Sequence, residues 1–369
     1  MSVFRIEMLP AQQGDALLIE YGDPAQLHHV LIDAGTPPSY ADVKQRLGLL
    51  DGGRPHLELL IVSHIDTDHI GGVLRLFDDR TFGVQIDDVW FNAWEQLPDR
   101  RTDRLGPVDG EILSTQLRER KLAWNQAFDA GAVCVPEDGP LPTRTLRGGL
   151  VLTLLSPGAP QLSALRKEWR SVLQAAGLDP CEPEGSVQAQ RLAQMAARKG
   201  LRLDRLGAAP PDVRGLADQR FEPDRAVANG SSIVVLAEYE GKSALLGADA
   251  FPEVVAASVR RLLVSRRTRK LSVEAFKVCH HGSKHNTSND LVALLNCHRY
   301  LYSTNGNIFG HPDLEAVSRV VVSGGSNPTL HFNYSSARNA VWADRVLMHA
   351  TGYGSVFPAH DARGLVVDL

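Results

Sequence analysis

Ser63-His64-Ile65-Asp66-Thr67-Asp68-His69-Ile70-Gly71-Gly72 is the stretch that decides the fold. It follows the apolar run 57–62, which predicts a buried strand. Four possible metal ligands fall within six residues, in the order His-x-Asp-x-Asp-His. Imidazole and carboxylate together suit borderline or hard divalent ions such as Zn²⁺ or Mn²⁺. The alternative is a polar loop whose Asp caps the helix predicted to begin at 71–74, but the density of ligands favours a metal site.

A second group of possible ligands lies in the other half of the chain. The segment 277–284, Lys-Val-Cys-His-His-Gly-Ser-Lys, predicts a strand that delivers His280 and His281 into a glycine turn. Adjacent residues of a strand point to opposite sides, so one histidine would bind metal while the other contacts substrate or solvent. The sequence does not separate the two, and a pair of exposed loop histidines is the alternative.

Asp249 ends the predicted hairpin strand 243–246. Its carboxylate has two oxygens and could bridge two cations. It could instead, or in addition, cap the helix predicted over 251–264.

The first pattern resembles the signature of the metallo-β-lactamase fold, normally His-x-His-x-Asp-His, with Asp66 in the place of the second His. The variant is similar to the hydrolase domain of the bacterial competence DNA-uptake channel and its soluble relatives. The resemblance implies an α/β (α+β) fold, an αββα sandwich of two mixed sheets flanked by helices, with metals at one edge. The blocks that carry it are 14–19, 31–35, 63–72, 229–232, 245–249, 277–284, 303–307 and 310–312.

The resemblance also implies roles for individual residues. Asp68 would both bind metal and orient the attacking water. The residues implied as direct metal ligands are His64, Asp66, Asp68, His69, Asp249 and His280. The residues implied beside the substrate or leaving group are His281, Lys284 and His311. The residues implied to support the site from behind are Asp33, Asn229, Ser232 and Ser283, although Asp33 alone would read as a turn residue.

One departure from the family pattern bears on the number of ions. Ordinary members have a ligand histidine at roughly the place of residues 229–232, and this chain has none there. The resemblance therefore leaves open whether the centre holds one ion or two.

The resemblance implies a metal-dependent hydrolase, and specifically a phosphodiesterase or nuclease that uses a metal-activated water on DNA or RNA. One alternative is a metal-dependent hydrolase of a small ester, amide or lactone. Another is a non-catalytic or partner-activated binding module on the same fold. The sequence contains no P-loop and no obvious covalent nucleophile.

Two features leave a nucleic-acid partner open. The densest basic cluster, which either contacts phosphate or complements a helix C-terminus, is Arg260, Arg261, Arg266, Arg267, Arg269 and Lys270. Trp90 and Trp94 would either stack on bases or lie in the core at a strand end, and the core is favoured. A further basic run, 191–205, predicts a solvated amphipathic face or, alternatively, a lid.

Composition sets the broader limits. The length of 369 residues allows one large domain or two smaller ones, and 43% hydrophobic content is ordinary for a globular protein. The span of the resemblance implies a single metallo-β-lactamase-like domain, with a helical insertion at about 160–225 and an extension of unknown placement at about 320–369. The net charge of −4 gives no general signal for nucleic acid. No signal peptide or membrane span is expected, so a cytoplasmic location is predicted. The four cysteines have no CxxC spacing, and they indicate neither a zinc ribbon nor a disulfide framework.

Hydrophobic periodicity predicts the remaining elements near the site. Strands are expected over 3–8, 16–20, 29–33, 84–91, 132–135, 150–155 and 272–278. Helices are expected over 39–50 and, as one helix or a pair, over 109–130.

Overall fold

A computed structural model describes residues 2–97, 108–176, 211–359 and 362–369. Its centre consists of two mixed β-sheets. The first sheet contains, in spatial order, β16 (Leu365–Asp368), β1 (Val3–Met8), β2 (Leu17–Asp23), β3 (Gln26–Ile32), β5 (Leu59–Ile61) and β7 (Val89–Trp90). The second contains, in spatial order, β15 (Gly354–Val356), β14 (Thr329–Phe332), β13 (Leu295–Tyr302), β12 (Leu271–Lys277), β11 (Lys242–Leu246), β10 (Val234–Tyr239), β9 (Val151–Ser156) and β8 (Thr143–Thr145). A small additional pair is formed by β4 (His56–Leu57) and β6 (Gln85–Ile86).

Helices cover the outer faces of both sheets. Six helices come before β10 in the chain: α1 (Tyr40–Leu47), α2 (Thr67–Asp78), α3 (Val108–Glu119), α4 (Ala159–Ala176), α5 (Val213–Ala217) and α6 (Val227–Gly230). Those that follow are α7 (Pro252–Arg266), α8 (Asn289–Ala293), α9 (Leu314–Ser323) and α10 (Arg345–Thr351).

Three apolar cores hold these layers together. The middle core lies between the sheets, because alternate residues of β1 such as Phe4 and Ile6 pack with Leu152 and Val235 of the second sheet. A second core joins the first sheet to α1, α2, α3 and α4. The third joins the second sheet to α7, α8, α9 and α10. The predicted αββα sandwich is therefore confirmed.

Strand direction explains why distant motifs meet. In the first sheet β3, β5 and β7 are parallel, and in the second sheet β11 to β14 are parallel. Loops that follow parallel strands meet at one edge of a sheet, where α/β proteins commonly bind ligands. The segments that carry Asp33, His64, Asp249, His281 and His311 all follow such strands.

The helical prediction over 109–130 is correct only for its first half. Helix α3 ends at Glu119, and Lys121 and Asn125 have positive φ. The Asn125 side chain bonds the backbone of Phe91 and Gly131, and the Trp124 indole donates to Phe91 O. Asparagine often replaces helical bonds in this way, so the apolar residues of this stretch pack from a loop.

The strand predicted over 84–91 is divided into β6 and β7. Asp88 lies between them, and its carboxylate accepts hydrogen bonds from Val89 N, Trp90 Nε1 and Gln126 N. Residues 132–135 form no strand and contribute only an isolated bridge between Val135 and Gly158. Trp90 and Trp94 are buried, as expected for core residues.

The remaining segments are described in part. Residues 177–210, which hold most of the predicted insertion and the whole basic run 191–205, lie outside the described residues. The extension predicted from about 320 supplies β14 and β15 to one sheet and β16 to the other. No helix among the described residues is long and apolar enough to cross a membrane.

Candidate metal centre

The His-x-Asp-x-Asp-His stretch lies between β5 and the first turn of α2. The helix begins at Thr67, earlier than the glycines suggest, so Asp68 and His69 belong to its first turn. Asp66 occupies the capping position, but its side chain makes no capping hydrogen bond. The carboxylate of Asp66 instead lies 3.6 Å from His64 Nε2. The capping alternative therefore does not describe this side chain.

Asp33 supports this loop from the end of β3. Its backbone is left-handed, with φ of 57°. Its Oδ1 accepts Ser63 N at 2.7 Å, and its Oδ2 accepts both Ser63 Oγ at 2.6 Å and His69 Nδ1 at 2.8 Å. A fully buried carboxylate thus fixes both the backbone of the loop and the orientation of one imidazole.

Asp249 follows β11 and is 2% exposed. The next helix, α7, begins at Pro252 and has Phe251 at its capping position. Asp249 is therefore not the helix cap, and its carboxylate faces the other half of the site.

His280 and His281 lie in a tight turn after β12, and both have positive φ, of 48° and 55°. The expectation that they point to opposite sides is wrong, because it assumes extended backbone at the end of the strand. In the left-handed turn both rings face Asp249, with His280 Nε2 at 3.6 Å and His281 Nε2 at 3.5 Å from Asp249 Oδ2.

Four imidazoles converge on this one oxygen. The Nε2 atoms of His64 and His69 lie 3.9 Å and 3.3 Å from Asp249 Oδ2, which completes the set begun by His280 and His281. Asp68 joins from α2, with Oδ2 at 3.8 Å from His281 Nε2. Segments separated by more than two hundred residues therefore aim their donor atoms at a common point.

Each of the four rings has its other nitrogen occupied. The Nδ1 partners are Ser63 Oγ at 3.0 Å for His64, Asp33 Oδ2 at 2.8 Å for His69, Asn286 Oδ1 at 2.9 Å for His280 and Ser303 O at 2.9 Å for His281. The carboxylate, amide and carbonyl oxygens can only accept, so three of these Nδ1 atoms carry the proton. In the neutral rings Nε2 then presents a lone pair, the form in which histidine binds metals.

The arrangement needs a positive charge at its centre. His69 Nε2 and His281 Nε2 are 3.3 Å apart, and two lone pairs at that distance repel unless a proton or cation lies between them. Burial would lower the pKa of His281, but the carboxylates of Asp249 and Asp15 outweigh it and raise that pKa to about 9. Burial would also lower the pKa of His69, but the carboxylates of Asp249 and Asp33 outweigh it and raise that pKa.

Unsatisfied polar atoms point to the same conclusion. His64 Nε2 and Asp249 Oδ1 are buried and have no hydrogen-bond partner among the described residues. Buried polar atoms are rarely left without a partner. Imidazole nitrogens and carboxylate oxygens are also the donor set that Zn²⁺ and Mn²⁺ accept. The residues present therefore fit a divalent ion.

Asp15 and Lys277 form a buried ion pair behind His281, and the sequence does not assign a role to either. Both side chains are at most 1% exposed, and Lys277 Nζ donates to Asp15 Oδ2. Asp15 Oδ1 lies 3.3 Å from His281 Nδ1. By distance alone, four residues lie close enough together to hold one metal ion: Asp15, His69, Asp249 and His281. We regard Asp15 as the support of His281, because it approaches Nδ1 rather than Nε2.

Asn286 and Asp224 are also absent from the predicted site. Asn286 accepts from His280 Nδ1 through Oδ1, while its Nδ2 donates to Asp224 Oδ2 at 3.0 Å and to Asp249 O at 3.1 Å. Asn229 Nδ2 donates to the same Asp224 oxygen at 2.6 Å and lies 3.3 Å from His280 Nδ1. Single polar residues in loops give no sequence signal for such bonds.

The other predicted site residues lie around the cluster. His311 packs its ring 5.2 Å from that of His280. Lys284 Nζ lies 3.4 Å from Glu315 and contacts no ligand candidate among the described residues. Ser283 Oγ accepts from His285 N at 3.2 Å and so shapes the turn. Ser232 Oγ is buried and lacks a partner in the described part of the chain.

The basic cluster lies away from this centre. It begins at Arg260 in the second half of α7 and ends four residues beyond that helix, whose fifteen residues span about 22 Å from the segment after Asp249. Arg260 pairs with Asp290, Arg266 pairs with Glu238, and Arg261 donates to the carbonyls of Pro136 and Gly139. Much of the charge that suggested phosphate contact is therefore used within the protein.

Comparisons with known proteins agree with the architecture. The family model described as the metallo-beta-lactamase superfamily, whose members are generally hydrolases, matches residues 9–261, which is more than half of the chain. No curated protein is significantly similar to the chain.

Solved structures give weak overall similarities. They include the metallo-beta-lactamase fold protein YhfI from Bacillus subtilis (10% identity, 100% of each chain, TM-score 0.42) and Zn²⁺-bound PqqB from Methylobacterium extorquens (13% identity, 97% of this chain and 88% of the other, TM-score 0.36). On the extent of the family match, the chain belongs to the metallo-β-lactamase superfamily.

Proposed function

We propose that the protein is a metal-dependent hydrolase that cleaves phosphodiester bonds. The observation that supports it best is the convergence of four Nε2 atoms within 3.9 Å of Asp249 Oδ2, each ring being held through its Nδ1. Such preorganisation of ligands is typical of metal sites. A divalent ion held there would lower the pKa of a coordinated water towards ~7 and offset charge on the attacked centre.

We propose two neighbouring ligand groups that share Asp249. His69, His281 and Asp68 form one, since His281 Nε2 lies 3.3 Å from His69 Nε2 and 3.8 Å from Asp68 Oδ2. His64, Asp66 and His280 form the other. In this arrangement His280 supplies the imidazole that ordinary family members take from the segment around Asn229. The position of His280 Nε2, 3.6 Å from Asp249 Oδ2, supports this substitution.

The chain's own groups suit hydrolysis without a covalent intermediate. Asp68 has 16% of its side chain exposed, whereas His69 and His281 are fully buried, so Asp68 can hold a water and accept its proton. His311 packs on His280 at the outer side of the cluster, which suits contact with a leaving group. Two cations sharing Asp249 would hold the attacking and leaving oxygens of a phosphodiester.

The phosphodiester part of the proposal depends on the paired ligand groups and on the resemblance to the competence-type hydrolase domain. It does not depend on the basic cluster, which lies elsewhere. DNA and RNA are the natural phosphodiesters that this proposal names as substrates. Zn²⁺ and Mn²⁺ are the ions that we propose, because both accept imidazole and carboxylate ligands.

The test combines metal content with substrate class. Protein loaded with Zn²⁺ or Mn²⁺ is assayed on bis(p-nitrophenyl) phosphate, labelled single- and double-stranded DNA and RNA, p-nitrophenyl acetate and a lactone. Asp68→Asn serves as the matched variant. We expect phosphodiester hydrolysis that requires metal and falls at least about a hundredfold in the variant.

Hydrolysis confined to the carboxylic ester or lactone would overturn the phosphodiester assignment and leave a metal-dependent hydrolase of small esters. Bound metal with no hydrolysis of any substrate would favour a binding or partner-activated module. Failure of the protein to bind either ion would overturn the proposal as a whole.

A further inference from the structure

The loop after β13 carries a feature that the metal centre does not use. Its two ends are fixed: Asn305 N donates to Gln12 O at 2.7 Å, and Asp313 N donates to Gly282 O at 2.9 Å. Thr304 N is also held, by Asn333 Oδ1 at 2.9 Å. The tip, 307–309, is largely exposed. A loop with anchored ends holds its tip at a defined position beside the cluster.

Phe309 projects from this tip. Its exposure is 58%, and among the described residues it is the only phenylalanine, tyrosine or tryptophan with such large exposure. Its ring stacks against His311, with centroids 6.3 Å apart and an angle of 28° between planes. His311 in turn packs 5.2 Å from His280. A row of three rings therefore leads from the metal centre to a free aromatic face.

Arg338, from the segment that follows β14, packs against this loop. Its side chain runs along Gly306, and its guanidinium occupies the space beside Gly310 where any other residue would carry a Cβ. Both glycines have φ of 74°, a conformation that L side chains rarely adopt. Because Gly306 and Gly310 have no side chains, the guanidinium can lie close to the backbone between Phe309 and His311.

The charge of Arg338 is not used within the described part of the protein. Neither a hydrogen bond nor an ion pair joins it to any residue described there, although it is half-buried. By contrast, Arg260 and Arg266 each pair with a carboxylate. A half-buried guanidinium without a carboxylate partner is suited to an anion from outside.

We propose that Phe309 and Arg338 form a nucleotide subsite next to the metal centre, in which Phe309 stacks on a nucleobase and Arg338 pairs with the phosphate of that nucleotide. The inference rests on the proposed phosphodiesterase function and names the unit that the site recognises. Base–aromatic stacking tolerates all bases, because each has a π-face. The subsite would therefore recognise nucleic acid without strong sequence preference.

The decisive test measures binding rather than turnover. Thymidine 3′,5′-bisphosphate and the base-free deoxyribose 3′,5′-bisphosphate are titrated calorimetrically into the purified protein and its variants. We expect Phe309→Ala to weaken binding of the thymidine probe about tenfold or more, the lower part of the range for one stacked base. Binding of the base-free probe should not change. Phe309→Trp should retain the affinity for thymidine.

Arg338→Ala should weaken both probes to a similar degree, because both carry the phosphates. Leu49→Ala removes a similarly exposed apolar side chain, 72% exposed, at the end of α1 and serves as the control. Equal affinity of Phe309→Ala and the unaltered protein for the thymidine probe would overturn the inference. So would a matching loss for both probes, or no binding of the thymidine probe by the unaltered protein.

Binding and hydrolysis separate the two proposals. If the probes behave as expected but no phosphodiester is cleaved, the subsite stands and the proposed activity fails. If phosphodiesters are cleaved and Phe309→Ala has no effect on either probe, the activity stands and the subsite is wrong.

Discussion

The candidate metal centre and the basic cluster of α7 are two groups of polar side chains that the sequence singles out, and they differ in where the structure places their members. The ligand candidates of the centre come from several loops and meet around Asp249. The basic cluster, although contiguous in sequence, spreads along the end of a helix and pairs with Asp290, Glu238 and backbone carbonyls. Convergence at the carboxyl ends of parallel strands, rather than density in the sequence, marks a functional site.

The strongest way to test this contrast is to remove its central residue. Asp249→Ala should abolish stoichiometric binding of Zn²⁺ or Mn²⁺, because four imidazoles lose the carboxylate on which they converge. Any metal-dependent hydrolysis should fall by about a thousandfold or more, since the metal contributes several kcal/mol. Metal content by atomic emission is the measurement. Asp290→Ala, which breaks only the exposed pair with Arg260, is the control and should keep its metal.

Lys277 tests the buried support of the centre. Lys277→Met leaves the carboxylate of Asp15 buried without its partner, so the free energy of unfolding should fall by about 3–5 kcal/mol. The double variant Lys277→Met, Asp15→Asn removes both charges and should regain part of that loss. Urea denaturation of all variants measures the effect. The single variant Asp15→Asn is measured as well. If the losses of Lys277→Met and Asp15→Asn add up to the loss of the double variant, the pairing is contradicted.

Asp33 tests the orientation of a single imidazole. Asp33→Asn keeps the shape of the side chain but removes the charge that holds His69 Nδ1. Metal affinity should fall about 10–100-fold, as measured by competition with a chelator. Asp42→Asn, on the surface of α1, should bind metal normally. Unchanged affinity in Asp33→Asn, with the fold intact, would show that the support is dispensable.

The smallest effect is expected at the basic cluster. The triple variant is Arg267→Gln, Arg269→Gln, Lys270→Gln. It removes charges that lie about 20 Å from the centre, a distance that follows from the length of α7. At that distance physiological salt screens exposed charges. Metal content should stay the same, and kcat/KM on a small phosphodiester should change less than about twofold. A large loss there would place the cluster in the functional site and break the contrast.

Much of the fold was predictable, because its signals are local. Alternation in β1 and the apolar run before His64 indicate the strands directly. The ends of α3 and the division of the 84–91 stretch were not predictable, since single polar side chains, Asn125 and Asp88, decide them by bonding backbone groups far away in sequence.

The same limit applies to the site. The ligand candidates were identifiable because they lie in short motifs, each of which follows a predicted strand. The conformation of His280 and His281 was not, because a left-handed turn aims both rings at one point. Asp15, Lys277, Asn286 and Asp224 also escaped prediction, since their roles depend on contacts between distant segments.

The central claim is that the converging histidines bind a divalent metal around Asp249. The most direct test is a crystal structure of the Mn²⁺- or Zn²⁺-loaded protein with anomalous diffraction at the metal edge. The account predicts an anomalous peak within about 2.0–2.2 Å of His69 Nε2, His281 Nε2 and an oxygen of Asp249. A metal-loaded crystal with no peak among these residues, and the imidazoles unchanged in position, would contradict it.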